Sequence, residues 1–188
     1  MWIKRQDPYV LVVGMTGVKL GDRVAQVGCA NGGALAAIAA KAGLSGRAVV
    51  VVPDQETAAR AQKAAARQGV LVEVEVAPST RLPIDAASVD LAIIDDADGS
   101  FSAMAAETRV ATIRELARIV RPGGRAMIIG AAPREGLAAL LSRGPAGPSL
   151  AASGDATKAL DAGGFRGART LARREGLVFV EGMKPRSS

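Results

Sequence analysis

Histidine is absent from the 188 residues, and there is one cysteine, Cys29. Without histidine the chain cannot run Ser-His-Asp or Cys-His chemistry, nor hold a histidine-ligated zinc. A lone cysteine excludes an intrachain disulfide and any cysteine-cluster metal site. Aromatic residues are only 3%: Trp2, Tyr9, Phe101, Phe165 and Phe179. Stacking single-stranded nucleic acid takes several aromatics along one groove, so that class starts weak. No apolar run approaches the ~20 residues of a membrane span. Lys4 and Arg5 ahead of the apolar stretch 9–18 briefly suggest a signal peptide. Asp7 and Pro8 interrupt that flank, and the stretch runs into Lys19-Leu-Gly-Asp-Arg23 without a small-residue cleavage site. The segment reads as a structured lead-in, and a cytoplasmic protein is expected.

What is present fits one folded domain over 1–188, with 49% hydrophobic and 22% charged residues, both ordinary for a globular chain. Twenty-four basic against eighteen acidic residues give a net charge of +6, which favours anionic partners in general; a solvated basic surface is the plainer reading. Apolar runs alternate with alanine-rich amphipathic stretches. Strands are expected over 23–27, 47–52, 70–77, 89–94 and 125–130. Helices are expected over 34–42, 55–68, 108–120, 134–143 and 155–162, with a Gly/Pro/Ser/Ala-rich loop over 144–154. Alternation of this kind implies parallel strands joined by right-handed crossovers. Two closing strands, 165–173 and 177–184, are separated only by Arg174-Glu-Gly176 and should pair as an antiparallel hairpin. The fold class expected is α/β, a doubly wound, mostly parallel seven-stranded sheet with an antiparallel C-terminal hairpin. Residues 185–188 read as a frayed tail.

Three segments carry a resemblance. They are Lys19-Leu-Gly-Asp-Arg-Val-Ala-Gln-Val-Gly-Cys-Ala-Asn-Gly32, Arg81-Leu-Pro-Ile-Asp-Ala-Ala-Ser-Val-Asp-Leu-Ala-Ile-Ile94 and Arg114-Glu-Leu-Ala-Arg-Ile-Val-Arg-Pro-Gly-Gly-Arg-Ala-Met-Ile-Ile129. In this order they resemble the class I S-adenosylmethionine-dependent methyltransferases of the small-molecule, methyltransferase type 11-like kind, over roughly residues 15–184. The closing Ala162-Gly-Gly-Phe165 and hairpin are similar to the family's ubiquinone/menaquinone-type and small-molecule branches. The resemblance implies methyl transfer from S-adenosyl-L-methionine to a small-molecule acceptor. It implies donor contacts at Gln26, Gly28, Cys29, Ala30, Asn31 and Gly32, at Pro53 and Asp54, at Ser79 and Thr80, and at Asp95. Residues 1–20, with Trp2 and Tyr9, would form a lid. No membrane partner and no nucleic acid are expected, and a homodimer stays open.

The first motif also has its own physics. A strand ends, glycine turns the backbone tightly, and a helix N-terminus follows, which brings main-chain N–H groups to the carboxyl edge of the sheet. The plainer reading of Gly28 and Gly32 is a closed strand-to-helix turn with no ligand. The chain departs from the family at Gln26 (usually acidic), Ala30 (usually glycine), Val52 (usually an acid for the ribose) and Pro78 (usually a carboxylate near the adenine). Asp54 is placed to reach back to the ribose; equally, aspartate there caps the helix from Gln55. Cys29 reads as a small packed residue rather than a nucleophile. Asp95-Asp-Ala-Asp98 follows the fourth strand, and Asp95 and Asp96 are the candidates to orient a nucleophile or take its proton. Loop and cap carboxylates before a helix near Ser102 are the plainer alternative. No helper ligand joins them for magnesium, and no metal site is expected.

Two other functions stand beside methyl transfer. One is a methyltransferase-fold binding or partner subunit that has lost donor binding. The other is a nicotinamide-dependent oxidoreductase, disfavoured because residues 28–33 read Gly-Cys-Ala-Asn-Gly-Gly rather than Gly-x-Gly-x-x-Gly. The basic hairpin (Arg166, Arg169, Arg173, Arg174, Lys184 and Arg186) reads as edge protection.

Overall fold

The computed structural model describes residues 8–133 and 149–186. The expected helix 134–143, residues 144–148 of the expected loop, Trp2 and residues 187–188 lie outside that range.

In chain order the elements are α1 (Val10–Thr16), β1 (Arg23–Val27), α2 (Gly32–Ala42), β2 (Arg47–Val52), α3 (Gln55–Gln68), β3 (Glu73–Val76) and β4 (Val89–Asp96). There follow α4 (Ala106–Ile119), β5 (Val120–Ala131), α5 (Leu150–Ser153), α6 (Asp155–Ala162), β6 (Arg166–Arg174) and β7 (Leu177–Met183). The sheet has seven strands in the order β3-β2-β1-β4-β5-β7-β6. All neighbouring pairs from β3 to β5 are parallel, and β7 runs antiparallel to both β5 and β6. The α/β class and the hairpin expected from the sequence are both present.

Burial on both faces explains the β-branched runs. Val49 to Val52 are each at most 2% exposed. Alternate residues feed two layers. Val27, Val51, Ile94, Ile128 and Val180 pack with Ile113 and Leu116 of α4 and Leu160 of α6. Val24, Ile93, Met127, Ile129 and Phe179 pack with Val12 of α1 and Ile38 of α2. The helix after β1 therefore lies on one face and the helix after β4 on the other. A crevice forms where adjacent parallel strands send their crossovers to opposite faces.

Several boundaries differ from expectation. β3 is only Glu73–Val76, because Val70 and Leu71 belong to the turn off α3. Helix α2 starts at Gly32, two residues early, since the Asn31 side chain caps it. No helix forms near Ser102; residues 97–104 are turns and α4 begins at Ala106. Asp95 and Asp96 are not loop residues but the last two of β4, paired with Ile129 and Gly130. Pro122-Gly-Gly124 does not break the chain into helix and later strand. Gly123, at φ +76°, lets an irregular start of β5 stay paired. Its N–H donates to the Lys184 carbonyl at 3.0 Å, and the Lys184 N–H returns to the Gly124 carbonyl at 2.8 Å.

Leu116 is 0% exposed at the centre of the α4-side layer. Leu116→Ala is expected to destabilise the fold by ~2–5 kcal/mol, read as a lowered urea midpoint with unchanged slope.

Candidate active site

The loop between β1 and α2 is built around one turn and one cap. Gly28 sits at φ +82°, where an added Cβ would lie 2.9 Å from the Asp95 carbonyl oxygen. Glycine there serves both the left-handed backbone and the close approach of β4. Three residues on, Asn31 Oδ1 accepts the Gly33 and Ala34 N–H groups at 2.9 and 3.3 Å, closing the first turn of α2. Gly32 lies flush against α3, since a Cβ there would come within 2.6 Å of Ala64 Cβ. A Cβ on Gly33 would collide with the Tyr9 ring, so the N-terminal segment rests on the start of α2.

Asp95 ties this loop to β4. Its Oδ2 accepts the Ala30 N–H at 2.9 Å, the Asn31 N–H at 3.4 Å and the Gln26 amide Nε2–H at 3.5 Å; Oδ1 accepts the Ala97 N–H at 3.4 Å. Gln26 also donates to the Gly28 carbonyl at 3.0 Å. Burial pushes the Asp95 carboxyl above its usual range, against the pull of these N–H donors.

Asp96 faces the other way, as strand alternation requires. The Ser102 N–H donates to Oδ1 at 2.9 Å and the Ser102 hydroxyl to Oδ2. That hydroxyl in turn accepts the Leu150 N–H at 2.7 Å. Arg109 Nη1 reaches the Ser102 and Met104 carbonyls at 3.0 and 2.5 Å. Asp96 is 0% exposed with both oxygens engaged, so it anchors the loop after β4 to α5. The two acids read as a catalytic pair thus point to opposite faces. Asp98 instead accepts the Ser100 N–H at 2.9 Å on the exposed loop.

The remaining expected residues spread out along the same sheet edge. Cys29 turns toward α3, among Leu35, Val50, Val52, Ala58 and Ala61. Burial and the nearby Asp95 charge push its thiol up to about 11. Pro53 is exposed, and Asp54 is the N-cap of α3, its Oδ1 accepting the Thr57 N–H at 2.8 Å. That hydrogen bond holds the Asp54 carboxyl below its usual range. Ser79 is tied to α4 through the Thr112 hydroxyl at 2.8 Å, and Thr80 is exposed beside it. Contact therefore unites Gln26, Gly28, Ala30, Asn31 and Asp95; Ser79 and Thr80 follow β3 in the chain, and Ser79 meets α4 rather than the glycine loop. Gly33, Ser102 and Arg109 escaped sequence reading, because their roles depend on long-range partners that no local spacing encodes. A separate groove of about 770 Å³, lined by Pro78, Arg81, Leu82, Glu115 and Arg118 among others, shares none of the glycine-loop residues. Among the described residues, no group of three or more His, Cys, Asp or Glu is arranged to hold a metal, and no helix is long and apolar enough to cross a membrane.

A family profile described as a methyltransferase domain matches residues 24–124, more than half of the chain, and the chain belongs to that family. No curated protein matches it. Solved structures agree on the fold. A SAM-dependent methyltransferase from Aquifex aeolicus superposes with a TM-score of 0.74 at 19% identity, covering 94% of this chain and 89% of its own. A SAM-dependent O-methyltransferase from Thermotoga maritima gives 0.70 at 16%, covering 100% and 68%. The [4+2]-cyclase SpnF gives 0.70 at 18%, covering 94% and 79%.

Because Cys29 is packed and carries its proton at neutral pH, alkylation by iodoacetamide at pH 7.5 should be slow in the native protein and fast in guanidinium chloride. The raised pKa also sets a stability window. The unfolded thiol ionises first, so stability should fall as pH rises from about 9 toward about 11, and Cys29→Ser should flatten that slope in urea titrations.

Proposed function

We propose that the chain, as one methyltransferase-like domain, transfers a methyl group from S-adenosyl-L-methionine to a small-molecule acceptor. The observation that carries this reading is the Gly28–Gly32 loop, held by a buried carboxylate in the crevice outside the ends of β1 and β4, inside the segment that matches the methyltransferase family. The donor set suits an adenosyl sulfonium. Asp95 puts negative charge behind the loop, toward a cationic ligand. The start of α2 presents a helix N-terminus, which favours a carboxylate. Gly28 keeps the turn free of side-chain bulk.

In this reading the aminocarboxylate end lies over Gly28, Ala30, Asn31 and Gly32. Gln26 and Cys29 back the loop, and Asp54 with Pro53 at the end of β2 meets the ribose. Ser79 and Thr80 bound the adenine side. When bound, the donor supplies an electrophilic methyl on sulfur. The chain's own part is positioning and the exclusion of water, with Tyr9 and α1 closing over the start of α2. Asp96 fixes the loop after β4, which forms one wall for the acceptor. Neither aspartate is assigned proton removal, since both are buried and both are engaged in holding loops, Asp95 the glycine loop and Asp96 the Ser102 turn. The family match favours this reading over a partner subunit without donor. The SpnF likeness keeps the reaction type a matter for assay, because one fold hosts several chemistries.

Thermal unfolding with S-adenosylmethionine is the direct test. At roughly a hundred times its Kd, the donor should raise the melting temperature by about 5–10 °C through mass action. No shift at millimolar donor would sink the assignment. A second measurement separates the two uses of Asp54. Asp54→Ala should lower the melting temperature without donor, and if Asp54 also meets the ribose, calorimetric titration should show roughly a ten- to hundredfold weaker Kd.

A further inference from the structure

We infer that Asp95 is the positioning residue of the glycine loop, and that the junction between β1 and β4 admits one acid only, so that Gln26 has to be neutral. The register sets this up. Gln26 and Val27 lie beside Ile93 and Ile94, so the residue two past Ile93 comes level with Gly28. Gln26 and Asp95 both point to the α2 face of the sheet and are 2% and 6% exposed. Four donors converge on the one carboxylate, two of them main-chain N–H groups of the loop itself, while among the described residues no arginine or lysine is hydrogen-bonded to it.

The Gln26 amide is the complement of this arrangement. Its Nε2 donates in two directions, to the Asp95 carboxylate and to the Gly28 carbonyl. Glutamate at 26 would turn both contacts into oxygen facing oxygen. It would also put a second negative charge 3.5 Å from the first in a site closed to water, where like charges interact strongly. The consequence runs against intuition. Gln26 is one of the positions where this chain lacks the acid that its resemblance leads one to expect, yet restoring that acid should harm the loop. The carboxylate is already there, supplied by the neighbouring strand. This inference rests on the proposed donor site for its functional meaning, but its geometry stands without any donor.

The test combines Asp95→Ala, Asp95→Asn, Gln26→Glu and the double variant Gln26→Glu/Asp95→Asn in the full chain. Amide hydrogen exchange is followed without donor, together with melting temperature and the donor Kd. In Asp95→Ala, exchange at the Ala30 and Asn31 amides should accelerate roughly ten- to a hundredfold, while the Val50 and Val51 amides in the sheet core stay protected. Asparagine keeps an acceptor toward the loop at the expense of the Ala97 contact, so Asp95→Asn should accelerate the same amides only about fivefold. Gln26→Glu should lower the melting temperature and weaken donor binding. The double variant should cost less than the two single losses combined, because it again holds one acid. Should Asp95→Ala fail to fold, the Gln26→Glu cycle decides alone. Unchanged exchange at Ala30 and Asn31 would overturn the inference, as would strict additivity, or a Gln26→Glu protein that melts higher and binds donor more tightly. A wild-type protein that ignores S-adenosylmethionine while these exchange patterns hold would sink the functional reading and leave the role of Asp95 standing.

Discussion

A glycine-rich turn has no side chains of its own with which to hold its shape, and main-chain N–H groups near the edge of a sheet must be paired to be ordered. Here one carboxylate on the adjacent strand pairs the two at the middle of the turn. Asp95 collects N–H groups from both sides of the crevice: Ala30 and Asn31 on the β1 side, and Ala97 on its own. The close approach of β4 that makes this reach short is also what limits residue 28 to glycine. Loop conformation, strand spacing and local charge are thus one constraint rather than three.

The second acid at the end of β4 shows how strand alternation divides labour. Asp96 turns to the opposite layer and fixes the Ser102 turn, which reaches Leu150 at the start of α5. One strand terminus therefore organises two loops on two faces, one toward the expected donor and one toward the expected acceptor. This separation keeps a buried pair of negative charges from sharing one space, which would drive one of them to protonate.

Most of the framework was legible in the chain because it rests on local rules. The valine run 47–52, the Asp54 and Gly69 ends of α3 and the short 174–176 connection each specify their element through nearby residues. What escaped was decided by partners far along the chain. Pro122-Gly-Gly124 falls between the expected helix 108–120 and the expected strand 125–130, yet pairing with Lys184 draws it into β5. Asp95 and Asp96 looked like loop acids because their identity is polar; their place in β4 is imposed by pairing with Ile129 and Gly130. Asp54 illustrates the remaining ambiguity in physical terms. A carboxylate after the second strand serves as helix cap by local geometry, whatever else it touches.

The position of β7 bears on how the molecule is made. This strand is nearly last in the chain yet sits between β5 and β6, with Phe179 wholly enclosed. Lys184, just beyond it, places its ammonium on the Ala117 and Val120 carbonyls at 2.6 Å each, finishing the end of α4. During synthesis on the ribosome, one side of β5 therefore stays without its hydrogen-bonding neighbour until some fifty further residues have emerged, since β5 ends at Ala131 and β7 at Met183. Nascent chains of this protein therefore carry an apolar strand with a bare flank through the last stretch of their translation, until β7 arrives to cover it.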